Sequence, residues 1–249
     1  MFILITILSV LGIYACVFFL KEKQLTQNRT KTESLGFMKS ISHLKDKEII
    51  LYFLGYFFFF CGFNILRGDL TYYLSTVMQK DIKYLTVISV VLFGMAGLFF
   101  PITNKFGKKY SYKKILIVDM LLLIAGTFGL LFINKNNSIF AYVFFVICGA
   151  GLSGAAFIFP QAMLSEISAK LSEIKKISLE GFMFGIQGMF LKLAFLVQQV
   201  VQSTLLVAGN QNVQNGVKGA TELGVKVTLV VALSLFGVSL FFYNLKKED

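Results

Sequence analysis

Seven stretches of this chain, about 2–20, 48–78, 84–102, 115–133, 139–160, 181–208 and 225–243, are almost continuously apolar. Most are close to the roughly 20 residues that carry a helix across a ~30 Å hydrocarbon layer. No water is available inside a bilayer to satisfy backbone N–H and C=O groups. A spanning segment must therefore be a helix or part of a closed barrel. A barrel would show alternating strands of about ten residues, and these runs do not alternate. The expectation is an all-α, polytopic membrane protein with seven transmembrane helices. Composition agrees: 28 Phe against 2 Pro, no Trp, and a mean hydropathy of +0.74.

The polar residues between the runs set the organisation. Residues 1–20 read as one transmembrane helix, 21–47 as a connector, 48–245 as a six-helix bundle and 246–249 as a tail. The net charge of +11 could suggest nucleic acid. The basic residues instead collect in alternate connectors, where the positive-inside rule puts them. Connector 21–47 holds seven Lys and Arg, stretch 104–114 five, connector 161–180 three and the tail two, while the opposite side holds only Lys80, Lys83, Lys135 and Lys218. The N-terminus is expected outside and the C-terminus in the cytoplasm of a cell inner (plasma) membrane. No nucleic-acid partner is expected. Within the first connector, residues 36–45 could form a short amphipathic surface helix or a disordered linker.

Cys16, Cys61 and Cys148 all lie in apolar runs, and His43 is the only histidine. Neither a disulfide framework nor a metal-ligand cluster is implied. No catalytic set is visible, so no enzyme and no cofactor are expected.

The most informative run is the sixth. Gly181, Gly185, Gly188, Lys192, Gln199, Gln202 and Ser203 are spaced so that a helix would align them as one small-and-polar stripe. A lysine at the centre of a spanning helix costs about 2.5–3.5 kcal/mol on insertion scales. It is retained when it faces a wet cavity, a carboxylate or an anionic ligand. Lys192 lies roughly 16 Å from Gly181 along the helix at 1.5 Å per residue, a long way for its ammonium to reach an interface. The second run carries Asn64, Arg67 and Asp69. Arg67 and Asp69 are two residues apart and point to different sides of a helix. Asn64, Arg67 and Gly68 can share one face, and Asp69, Tyr72 and Tyr73 another. Asp119 is placed in the first turn or two of the fourth run, where a carboxylate suits a helix N-terminus. Gly149-Ala-Gly-Leu-Ser-Gly-Ala-Ala156 reads as a close-packing surface. A retinal-type seven-helix reading fails for want of Trp and of a clear midplane counter-ion beside Lys192.

Two stretches resemble a known family. They are Gly149-Ala-Gly-Leu-Ser-Gly-Ala-Ala-Phe-Ile-Phe-Pro-Gln-Ala-Met-Leu-Ser-Glu166 and Leu179-Glu-Gly-Phe-Met-Phe-Gly-Ile-Gln-Gly-Met-Phe-Leu-Lys-Leu-Ala194. Arg67 to Tyr73 and Asn104-Lys-Phe-Gly-Lys-Lys109 are similar to further parts of it. The family is the glycoside–pentoside–hexuronide:cation symporters, the melibiose-permease branch of the major facilitator superfamily. The resemblance covers most of 48–245 and only the C-terminal bundle of that family. The first run would then be the last helix of a missing N-terminal bundle.

The resemblance implies a cavity-facing role for Lys192. Arg67, Asp69, Tyr73 and Gln199 are further substrate-binding candidates, the alternative for Arg67 and Asp69 being an interhelical network that only holds helices together. Gly107 and Lys108 in the basic stretch, with Glu180 and Gly181 at the head of the sixth run, are gating candidates. The chain departs from the family at Ser165-Glu166 and at Ser178-Leu179. A coupling cation, sodium or a proton, is implied, its site lying in the missing bundle. The expected function is the C-terminal half of a secondary active transporter: cation-coupled symport of a sugar, glycoside or related small solute by alternating access. The alternative is a non-transporting or decayed membrane fragment acting as a scaffold or half-transporter.

Overall fold

The computed structural model describes residues 46–175, 179–208 and 219–245, together with Val10, Leu11 and Tyr14. Most of the first apolar run, nearly all of connector 21–47 and the tail 246–249 lie outside the described residues. So do residues 36–45.

Among the described residues every regular element is helical. Helix α1 spans Lys47–Tyr72 and continues through a π-helical turn, Tyr73–Val77. A short 3-10 turn, Ile82–Tyr84, leads into α2, Leu85–Tyr110. Helix α3 is Tyr112–Leu130. Helix α4, Phe140–Leu152, passes through a second π-helical turn, Ser153–Ile158, into α5, Phe159–Lys175. Helices α6, Glu180–Leu205, and α7, Glu222–Leu245, complete the set. Five stretches are long and apolar enough to cross a membrane: Lys47–Val77, Ile82–Tyr110, Phe140–Ile174, Glu180–Leu205 and Glu222–Leu245. Helix α3, 19 residues long and carrying Lys113, Lys114 and Asp119, is not among them. Seven spans are therefore not reached among the described residues.

Three boundaries differ from the sequence reading, each for a physical reason. The basic stretch 104–114 is not a loop. Helix α2 runs through Pro101 as far as Tyr110, with Lys105, Lys108 and Lys109 exposed on its last turns. The chain reverses at one residue, Ser111, with φ 121°, a left-handed conformation that is unusual for a residue other than glycine. The fifth run does not stop at Pro160. The π turn already breaks the i→i−4 ladder there, so the missing proline N–H removes little more, and the helix continues to Lys175. Asp119 is the eighth residue of α3 and 4% exposed. It is a buried mid-helix carboxyl and not a helix-terminal one.

Helix α1 is the core of the bundle. Its contacts are aromatic: Phe53 stacks on Phe190 of α6 at 5.3 Å, and Phe58 on Phe242 of α7 at 5.7 Å. Phe59 meets Phe236 of α7 at 5.8 Å. The Phe57-Phe-Phe-Phe60 run is thus packing bulk, with Phe59 fully inside. Helix α3 packs on α4, and α4 on α2. Burial is uneven: 78% of the apolar window of α1 is buried, but only 17% of that of α2 and 11% of that of α6. Those two helices carry the uncovered sides of the bundle.

Candidate functional site

The buried face of α6 consists of Met183, Gln187, Ala194 and Gln198. Their spacing leaves the opposite face outward. Gly181, Gly185, Gly188, Lys192, Gln199 and Ser203 are all exposed on it. A Cβ added at Gly181, Gly185 or Gly188 would meet nothing within 4 Å. The stripe expected from sequence is therefore a real surface, and it faces away from the bundle. Gln202 sits at its edge and turns inward.

Arg67 is exposed on α1, with its guanidinium 5.9 Å from the centroid of Phe195 on α6. Phe195 is one turn beyond Lys192, so the two cations border the same uncovered face. Neither has an ion-pair partner among the described residues. Two positive charges thus stand deep in the apolar part of their helices, without an acid beside them.

Asp69 lies on the other side of α1 and is 1% exposed. Gln202 Nε2 donates to its Oδ1 at 2.8 Å, and Gln198 Nε2 donates to Gln202 Oε1 at 2.8 Å. Gly68 makes this possible: a Cβ there would collide with both Gln202 and Gln198. The glycine lets α1 and α6 approach closely enough for two glutamines to reach across. Asp69 is separated from Arg67, as the spacing predicted, and ties α6 to α1.

Tyr73 is also turned inward. Its hydroxyl donates to Leu130 O at 2.8 Å, and its ring meets Phe145 edge-on at 5.7 Å. It joins the ends of α1 and α3 to α4. The structure therefore brings Lys192, Arg67 and Gln199 to the uncovered face, and places Asp69 and Tyr73 behind it. Gly107 is buried near the end of α2, where a Cβ would meet Phe159 at 2.8 Å and Tyr112 at 3.0 Å. Lys108 beside it is exposed, Glu180 is half-buried, and Gly181 is exposed at the first turn of α6.

Sequence reasoning missed one polar cluster. Tyr52 donates to Pro160 O at 2.7 Å, and Gln187 Nε2 donates to the Tyr52 hydroxyl at 2.7 Å. This links α1, α5 and α6 at a depth where the phenol is fully buried. The available signal was Gln187 on the face of α6 opposite Lys192. A lone amide there, among Met183 and Ala194, needs a partner on a neighbouring helix.

A family model described as MFS/sugar transport protein matches residues 1–247. No curated protein matches the chain.

Proposed function

We propose a function from one premise that this match supplies: the chain belongs to the MFS/sugar transport protein family. On that premise it is a multi-pass membrane protein of a transporter family, and its cargo is a small solute. We read the described bundle as one half of a carrier. Its uncovered face, carried by α6 and flanked by Arg67 of α1, is one wall of the solute path. A second bundle closes the path from the other side, and rocking of one bundle against the other gives alternating access. Within the family, the Glu180-Gly181 and Lys192-Leu193 pattern supports the melibiose-permease branch and cation-coupled symport of a sugar or glycoside.

The observation that carries this reading is the setting of Lys192. A mid-helix ammonium stands exposed on the bundle among Gly185, Gly188 and Gln199, with exposed Met189 and Leu196 beside them, and its charge is uncompensated. Against lipid tails that arrangement is costly. Against a watered cavity it costs little, and the glycines leave room for a solute beside it. Lys192, Arg67 and Gln199 are the proposed solute contacts. Asp69 and Tyr73 hold the helices that present them.

Cysteine accessibility tests this directly. With the chain's own cysteines replaced, Lys192→Cys and Gln199→Cys are expressed in membranes and treated with a charged, water-soluble thiol reagent. Both should react. Val230→Cys, exposed on α7, should not, because it faces lipid tails. If Lys192→Cys and Gln199→Cys prove as inert as Val230→Cys, the face lies in lipid and the carrier reading fails.

A further inference from the structure

The contact between α3 and the turn Ser153–Ile158 holds a carboxyl that the uncovered face does not use. Asp119 is 4% exposed. Its Oδ2 has no hydrogen-bond partner among the described residues. A Cβ on Gly154 would strike that same Oδ2 and the Phe159 ring, and a Cβ on Gly151 would strike the Asp119 backbone oxygen. Two missing side chains let the turn close directly over the carboxyl. Ser153, next to Gly154, gives its hydroxyl hydrogen to Ala150 O at 2.7 Å. Its 2.8 Å contact with Thr103 of α2 is therefore donated by Thr103. Helices α2 and α3 and the π turn converge here, and π turns inside helices are frequent at functional sites.

No charged side chain compensates Asp119. On α2 the cations Lys105, Lys108 and Lys109 are exposed in the last turns. On α3 itself, Lys113 donates to Asn244 O, and Lys114 is exposed beside it. Helix α4 and the π turn carry no charged residue and only Tyr142 and Cys148 as titratable groups. On α5, Glu166, Lys170 and Glu173 are exposed, and Lys175 is the last residue. On α7, Glu222 and Lys226 pair with each other at 2.7 Å, and Tyr243 is turned toward Tyr52. Tyr112 stands at the start of α3 against Phe159.

We propose that Asp119 and the turn Ser153–Ile158 form a proton site inside this bundle, loaded when the turn is closed on α3 and emptied when it parts. A carboxylate with an unpartnered oxygen is costly in an apolar interior, and a proton on Oδ2 removes the charge. Ionisation demands a donor or water at Oδ2, which the closed turn leaves no space for. Asp119 lies about 11 Å along α3 from Tyr112 at 1.5 Å per residue. Water entering from the basic ends of α2 and α3 reaches it once the turn moves. The site is separate from the α6 face and does not require the chain to carry a solute.

Infrared difference spectra of the purified chain in lipid vesicles, taken through a pH titration, test the proposal. Wild type should show a carboxylic-acid C=O band that is lost as pH rises and is absent from Asp119→Asn, which keeps the shape of the side chain. Dicyclohexylcarbodiimide, which attacks protonated carboxyls in apolar surroundings, should modify Asp119 of the native chain at acid pH and not at alkaline pH, read by peptide mass spectrometry. This second readout decides the matter even if Asp119→Asn fails to insert. An Asp119 acid band that persists throughout makes the group permanently neutral and overturns the proposal. So does an Asp119 that stays ionised throughout, or a band displaced by sodium at constant pH. None of these outcomes bears on the cysteine test of α6.

Discussion

Lys192 and Asp119 are opposite solutions to one problem, a titratable group far from bulk water. Lys192 is on the outside of the bundle and uncompensated. Asp119 is inside and closed over by glycine. Their substitutions should therefore fail in different ways. If Lys192 contacts solute through a charge-assisted hydrogen bond, Lys192→Gln forfeits about 1.5–3 kcal/mol, equivalent to roughly 10- to 150-fold in affinity. Uptake by the assembled transporter should drop accordingly, with Lys192→Arg retaining more, and the amount of protein in the membrane should not change. Uptake unaltered by Lys192→Gln would remove Lys192 from the solute path. Gly154→Ala acts on packing. Its Cβ collides with Asp119 Oδ2 and Phe159, and overpacking of a tight contact costs about 1–3 kcal/mol. The melting temperature in detergent should fall, and it should fall much less for Gly188→Ala, whose Cβ meets nothing within 4 Å. Equal shifts for the two variants would contradict the closed turn.

Between helices, a few polar contacts do what apolar packing in lipid cannot, since lipid tails attract apolar side chains about as well as another helix does. Tyr52 is the clearest instance, bridging α1, α5 and α6. Tyr52→Phe keeps the ring and strands Gln187 Nε2 and Pro160 O. Measured hydrogen bonds between membrane helices average about 0.6 kcal/mol and reach about 1.7. A loss of roughly 1 kcal/mol is expected, seen as a lower midpoint in denaturation of the detergent-solubilised chain. Gln202→Leu should cost as much or more, because Asp69 Oδ1 and Gln198 both lose their partner. A neutral result for both would mean that these bonds merely accompany the packing.

Apolar length located α1, α4, α6 and α7 because the bilayer sets that length. The 3.6-residue period placed most of the α6 stripe on one face, Gln202 excepted. The end of α2 and the start of α5 were not legible. Basic residues and prolines look like loop signals in water, yet in a membrane-spanning helix the backbone keeps its hydrogen bonds through them. Asp119 was misplaced for the same reason. The residue that closes over it is Gly154, 35 residues away, and no local pattern announces such a contact.

Over the whole molecule, the helix ends sort into two groups. Lys113 at the start of α3 donates to Asn244 at the end of α7, and Gly107 at the end of α2 packs on Tyr112 and Phe159. On the opposite side, Tyr73 at the end of α1 bonds Leu130 at the end of α3, near the turn that Asn134 caps. Among the described residues, the ends of α2 and α3 alone give the first side Lys105, Lys108, Lys109, Lys113 and Lys114, while the second side carries Lys80, Lys83, Lys135 and Lys226, the last paired with Glu222. Lysine and arginine within short loops are retained on the cytoplasmic side during insertion, so the first side should face the cytoplasm. In intact cells a membrane-impermeant thiol reagent should label Asn136→Cys and leave Lys108→Cys untouched, and lysis should expose both. Labelling of Lys108→Cys alone in intact cells would invert the bundle. It would also move the proposed water route to Asp119 to the outer surface, where the proton site would take its load from the other compartment.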